Sequence, residues 1–378
     1  MKLLFFRNTI SIFSLLLILL ATSCQPKQKP VTADEAKIFA QKLESSLERR
    51  NPDFMDEAIA KTEFFKKAGL GSGKEARSFG AGLEQSMKMG SAIIKSISKK
   101  GTYQLVKQYE KNNAQYALFR LYDDGSLNYH DIELTRSDGN VKIADIYIYT
   151  SGEYLSETIK GLFLQMKDLV DKKGTSLQDQ WIKKLPEMRK LMNEGKYDEA
   201  SAIYKSLPAD VQKMRAVQII HVLVNSGLDD NDKYAAAIEE YQKLYPNEPN
   251  MHLLLLDGYI LKKEYDKALK GINEMDRMIN KDPFLDYYRY LIYNLKEDKE
   301  NSKICIERLV KNMPDFEDGM MELIATYIEE NNETAAKEWI EKYKQKSSFD
   351  QERLATFIDG TGFKDRITEG LTIGAIKG

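Results

Sequence analysis

A chain of 378 residues with 56 Lys and Arg against 58 Asp and Glu carries a formal charge of −2, and its length predicts two domains rather than one core. That balance argues against a nucleic-acid-binding protein, because phosphate recognition concentrates positive charge on one face. Three His and two Cys leave few ligands for the usual zinc and thiol chemistries, so no metal, no cofactor and no catalytic residue is expected.

Lys2 and Arg7 precede an almost wholly apolar run from Ile10 to Ala21, followed by Thr22, Ser23 and Cys24. The order is that of a basic region, a short apolar region and a cleavage site, and the run is shorter than the ~20 residues a spanning helix needs. Residues 24–31, beginning Cys24-Gln25-Pro26-Lys27-Gln28, are polar and proline-containing, which suits a tether. Ala21-Thr22-Ser23-Cys24 resembles the bacterial lipobox, with Ala21 where Leu is commonest. The resemblance implies removal of residues 1–23 as a signal peptide, a diacylglycerol on the Cys24 sulfur and acylation of the new amino terminus, hence a lipoprotein of the bacterial envelope. Gln25, Lys27 and Lys29 stand where surface-exported lipoproteins carry acids, which by that analogy points to an outer-membrane anchor facing the periplasm. Loss of Lys2 and Arg7 leaves 54 basic against 58 acidic residues, so the lipid rather than a polybasic patch must supply membrane affinity. Cys305, between Ile304 and Ile306, then has no intrachain disulfide partner and is predicted to pack in a core.

Thr32 and Glu35 have the spacing of a capping box and open a helix with Ala36, Phe39, Leu43 and Leu47 on one stripe. Asn51-Pro52-Asp53 starts a short second helix through Phe54, Ala58 and Ile59. Phe79, Leu83, Met87, Gly90, Ile94 and Ile97 predict one long third helix. Before it, Ala68-Gly69-Leu70-Gly71-Ser72-Gly73-Lys74-Glu75 lacks the first glycine and the hydroxyl of a phosphate loop and reads as a flexible connection. Four β-rich runs follow, Thr102–Lys111, Ala114–Tyr122, Leu127–Arg136 and Val141–Tyr149. Their separators, Asn112-Asn113, Asp123-Asp124-Gly125 and Asp138-Gly139-Asn140, predict an antiparallel meander. Helices followed by a long-stranded meander over 32–150 resemble the cone-shaped α+β fold of the nuclear transport factor two-like or cystatin-like superfamily, which implies a pocket between curled sheet and helices. Its polar strand residues would be His130, Asp131, Glu133 and Asp145. Alternation puts His130 with Ile132 and Leu134 on the interior face and Asp131 and Glu133 on the other.

Tyr154, Leu155, Thr158, Ile159, Leu162, Met166 and Leu169 predict a bridging helix within 151–174. Beyond it small residues recur at Ala200, Ala237, Ala268, Ser302 and Ala336, spaced 37, 31, 34 and 34 residues. Tyr204, Tyr241, Ile272, Ile306 and Ile340 follow each by four, and Leu191, Tyr259, Tyr293 and Tyr327 precede four of them by nine. In the remaining unit an insertion holds Asp229, Asp230, Asn231 and Asp232, which lack the ligand pattern of a calcium loop. The small residue lets two antiparallel helices approach while the large ones fill the space beside it, and the period resembles that of the tetratricopeptide repeat. The expected architecture is an α+β N-terminal domain followed by an all-α tetratricopeptide-repeat solenoid, with five helical hairpins over 175–346 and a cap and tail over 347–378. The resemblance implies a concave groove that takes up peptides or protein surfaces, with Asp257, Ile260, Tyr287, Leu291, Asn294, Met321 and Ile328 facing it. That set is mostly apolar, so the expected partner is a hydrophobic or helical segment of another envelope protein. The chain would be a membrane-anchored scaffold that binds no nucleic acid. The alternative is a ligand-binding or hydrolytic N-terminal pocket presented on a helical stalk.

Overall fold

The computed structural model describes residues 29–123, 126–173, 178–228, 230–246 and 251–360, so Cys24 and the expected signal peptide lie outside the described residues. The chain divides into two units, 1–149 with 153–179 and 150–152 with 180–378. The first is α+β and the second helical. Among the described residues no helix is long and apolar enough to cross a membrane.

Helix α1 (Ala33–Glu48) opens the first unit, and its capping box forms as the spacing predicts: Glu35 N donates to Thr32 Oγ1 at 3.3 Å and Thr32 N to Glu35 Oε2 at 2.9 Å. Short helices α2 (Asp53–Glu57) and α3 (Lys61–Lys67) follow, and Ile59 between them makes a parallel bridge to Ile143. A helix, not a strand, therefore precedes the glycine-rich loop. The predicted long third helix is two helices, α4 (Lys74–Ser86) and α5 (Met89–Ser96). The break has a through-space cause. Asp56 accepts from Gly90 N at 2.7 Å, Ser91 N at 3.2 Å and the Ser91 hydroxyl at 2.6 Å, which satisfies the first N–H groups of a new helix. Phe79, Leu83, Met87, Ile94 and Ile97 nevertheless pack against one core, so a single periodicity runs through both pieces.

Strands β1 (Thr102–Lys111), β2 (Ala114–Asp123), β3 (Ser126–Ser137) and β4 (Asn140–Ile148) form the expected meander, extended by a short β5 (Glu153–Tyr154). The sheet is antiparallel in the order β1-β2-β3-β4-β5. Asn112 and Asn113 have φ of 51° and 62°, and Asp138 and Gly139 of 50° and 77°, the paired positive values of two-residue hairpin turns whose twist matches the strands. One sheet face carries Tyr103, Ala117, Phe119, Ile132 and Ile146 into the helical core. Helix α6 (Leu155–Lys173), expected as a bridge, packs on that core through Leu155, Ile159 and Leu162 and so belongs to the first unit.

The second unit contains α7 (Gln178–Asn193), α8 (Tyr197–Lys205), α9 (Ala209–Gln212), α10 (Arg215–Ser226), α11 (Asn231–Leu244), α12 (Met251–Leu261), α13 (Tyr265–Met278), α14 (Leu285–Leu295), α15 (Lys299–Asn312), α16 (Glu317–Glu329), α17 (Glu333–Lys344) and α18 (Gln351–Gly360). The five recurring small residues lie on α8, α11, α13, α15 and α17, each buried together with the large residue four positions on. Five positions before the small residue, Gly195, Lys263, Glu297 and Asn331 adopt left-handed φ of 72°, 57°, 62° and 58°. The next N–H then reaches back across the turn: Lys196 to Leu191 O at 2.8 Å, Glu264 to Tyr259 O at 2.7 Å, Asp298 to Tyr293 O at 2.9 Å and Asn332 to Tyr327 O at 2.8 Å. This is the six-to-one closure of a helix C-terminus, repeated at four pairs although only one of them has glycine there. The α10–α11 pair departs from it, and Asp230 Oδ1 instead accepts from Lys233 N at 3.0 Å to cap α11.

Candidate functional site

His130 lies on the core face of the sheet, as the alternation predicts. Its ring centroid is 5.6 Å from that of Tyr103, which stacks on Phe119 at 5.0 Å. Asn128 Oδ1 accepts from Tyr129 N at 2.8 Å, which turns the amide nitrogen of Asn128 to His130 Nε2 at 3.2 Å. Nε2 must then accept, and the protonated Nδ1 donates to the Tyr103 oxygen at 3.1 Å. Burial pushes the His130 pKa down to about 4, so the ring is neutral near pH 7. The inner sheet face around His130 is thus packed with side chains, among them Tyr103, Phe119 and Ile132.

Asp131, Glu133 and Asp145 share the opposite face with Tyr109, Tyr116, Tyr147 and Tyr154, as the cross-strand register places them. Each acid has its own donor. The Tyr109 hydroxyl donates to Asp131, Lys67 Nζ reaches both Glu133 oxygens at 2.9 and 2.8 Å, and the Ser156 hydroxyl donates to Asp145 at 2.5 Å. Burial pushes the Asp131 and Asp145 carboxyls above the usual range. Among the described residues no group of three His, Cys, Asp or Glu is placed to hold a metal ion.

A cavity of about 460 Å³ lies elsewhere on the first unit, between α1, α2 and the β3–β4 hairpin, and includes Glu35, Ile38, Phe39, Lys42, Phe54 and Lys142 in its lining. Lys42 Nζ stands 4.6 Å over the Phe54 ring, and that ring is 5.2 Å from Phe39. The groove is open, and Ile38 on its lip is 66% exposed.

On the helical unit the expected groove residues separate into two groups. Asp257 is exposed and accepts from the Tyr234 hydroxyl at 2.8 Å. Surrounding protein still desolvates it enough to push its carboxyl up. Ile260, Tyr287, Leu291 and Asn294 are half-buried. Tyr287 packs edge-on to Phe316 at 5.2 Å, and Asn294 Oδ1 accepts from the Ser302 hydroxyl at 2.8 Å. Met321 and Ile328, by contrast, are only 4% and 1% exposed and belong to a core completed by Leu354 and Ile358 of α18. They are corrected from partner-facing to structural, because the terminal helix packs over α16. Leu261 and Leu295, which the sequence reading passed over, end α12 and α14 at equivalent positions and are 38% and 49% exposed. Each follows an expected groove residue by one, so the register itself could have found them.

A partly buried ionic network ties three helices of the second unit. Asp286 on α14 accepts from Arg289 Nη1 at 2.8 Å and from Arg308 of α15 at 2.5 and 2.6 Å, while Arg289 also reaches Asp276 of α13 at 2.8 Å. No protein-family model, no curated protein and no solved structure matches the chain.

Proposed function

We propose that this chain is a membrane-anchored lipoprotein of the bacterial envelope whose second unit is a tetratricopeptide-repeat solenoid that binds a hydrophobic or helical segment of another envelope protein. The observation that carries the helical part is the recurrence of one turn, with a left-handed residue at the same position and the same back-reaching hydrogen bond at four helix pairs. A helix pair cannot bury its own apolar face, so identical pairs stack and build a continuous wall. Asp257, Leu261 and Leu295 on first helices of neighbouring pairs offer that wall a carboxylate and two solvent-exposed leucines. The lipid anchor is supported by the small residues that lead into Cys24.

The test is affinity capture from detergent-solubilised envelopes with the wild type and with Leu261→Ser plus Leu295→Ser. Loss of a captured protein in the variant is expected, and unchanged capture contradicts a groove at these residues. Mass spectrometry of the mature amino terminus reads the acylation of Cys24 directly. A second reading, a ligand held on the tyrosine-rich sheet face, is favoured by one observation: Asp131 Oδ1 is buried without a hydrogen-bond partner. A small-molecule thermal-shift screen run in parallel on Asp131→Asn tests it, since a true ligand loses its effect in the variant.

A further inference from the structure

The open groove on α1 lies where the chain leaves the first unit towards Cys24. Arg136 on β3 holds that point: its Nε donates to Lys29 O at 2.9 Å, its Nη2 to Pro30 O at 3.3 Å, and the same Nη2 pairs with Glu35 at 2.5 Å. Glu35 also lines the groove, so the exit of the tether and the groove share a side chain. Five residue steps separate Cys24 from Lys29, and at ~3.6 Å per step the fully extended segment spans no more than roughly 18 Å. A lipid on Cys24 would keep Lys29 within that reach of the bilayer, so the groove beside the tether's exit is placed to meet the lipid surface.

The chemistry of the face suits that position. Ile38 is the most exposed of the large apolar side chains among the described residues, at 66%, and it sits beside the rings of Phe39 and Phe54. Lys42 and Lys142 flank these apolar residues, and Lys27 and Lys29 lie in the adjoining segment. Of the two acids in the lining, Glu35 is matched by Arg136, while Glu57 contributes its backbone oxygen, not its carboxylate, to Lys142 Nζ at 2.8 Å.

We propose that this groove is the membrane-contact face of the first unit, with Ile38 at headgroup depth and Lys42 and Lys142 paired with phospholipid phosphates. The proposal rests on the lipoprotein reading above. Its occupant is the lipid surface, argued from the length and exit point of the tether and from the lysines around an apolar centre.

The experiment uses the lipidated mature protein in vesicles of phosphatidylethanolamine and phosphatidylglycerol. An environment-sensitive fluorophore is placed at Ile38→Cys or, as a reference on the second unit, at Ile304→Cys, which is also well exposed. Shallow spin-labelled lipids should quench the probe at position 38 several-fold more than the probe at 304. Lys42→Glu with Lys142→Glu should remove most of that excess, because reversing two surface lysines weakens attachment to an anionic surface at least tenfold. An insertion of about 20 Gly and Ser residues after Lys27 should reduce it likewise. Both lysines are exposed or half-exposed, and far-UV circular dichroism verifies that the variants fold. A lipidated protein with an unquenched probe at 38, or with equal quenching at 38 and 304, overturns the membrane face while leaving the lipoprotein reading intact. A probe at 38 that responds only when envelope proteins are added also overturns it, in favour of a protein occupant. An unmodified Cys24 overturns both.

Discussion

Replacing Asp286 by alanine removes the carboxylate on which Arg289 and Arg308 converge. The Asp286 side chain is 6% exposed and Arg289 12%, whereas Arg308 is 49% exposed. After the substitution Arg308 can turn to water, so its lost bonds cost less than about 1 kcal/mol. Arg289 stays largely buried with Asp276 as its remaining carboxylate, and a charged hydrogen bond lost in that setting costs about 1.5–3 kcal/mol. Together the loss is about 2–4 kcal/mol, at or below the range for breaking a fully buried pair. Both tryptophans, Trp181 and Trp339, belong to the second unit, so tryptophan fluorescence during urea unfolding reports that unit alone. With a slope of about 2 kcal/mol per molar urea, the midpoint should fall by about 1–2 M. Asp266→Ala breaks an exposed pair with Lys296 and serves as the reference, with a fall below about 0.5 M expected. An Asp286→Ala midpoint no lower than that of Asp266→Ala would refute the view that this network holds α13, α14 and α15 together.

A methyl group at Gly90 would lie 2.6 Å from the Pro52 carbonyl oxygen and 3.0 Å from Met55 Cβ, so Gly90→Ala should cost about 1–3 kcal/mol in thermal unfolding. Gly82→Ala, on α4 with nothing within 4 Å of the added carbon, should be neutral or stabilising by up to about 1 kcal/mol. His130 has a folded pKa of about 4 against an ordinary value of 6.5, so the unfolded chain takes up the proton first. Its contribution is complete above pH 6.5 and falls by about 3 kcal/mol as pH drops to 4. Hydrogen exchange of β3 amides should show that slope in the wild type and a shallower one in His130→Gln. Arg136 and Thr32 hold the half-exposed Glu35 carboxyl at about 2, so its stabilising effect is present above the ordinary 4.5 and is lost as pH falls through about 2. An NMR titration should find the Glu35 pKa displaced upward in Arg136→Ala, and an unchanged value would contradict the pairing.

What was legible in the sequence is what local chemistry decides. Thr32 and Glu35 announced a capping box, and Asn112-Asn113 and Asp138-Gly139 announced turns with positive φ. The small residues from Ala200 to Ala336 announced helix pairs because close approach leaves no alternative. What was missed depends on contacts distant in sequence. The break after Ser86 is set by Asp56, and nothing in the local periodicity records it. Strand β5 has two residues, too few for alternation to register. Lys263, Glu297 and Asn331 take the left-handed conformation without being glycine, their strain offset by the hydrogen bond across the turn and by the buried helix pair. Met321 and Ile328 looked partner-facing because the register presumes an open wall, and only the packing of Leu354 and Ile358 closes it.

A photocrosslinking amino acid placed at Leu295 or at Ile304 in cells tests the binding wall most directly. Leu295 ends α14 and Ile304 lies on α15, with 49% and 47% of each exposed, so accessibility alone does not favour either. A wall that receives an envelope protein predicts a discrete crosslinked partner from position 295 that is missing from position 304. The same products from both positions, or none from 295, would contradict a binding groove on the first helices.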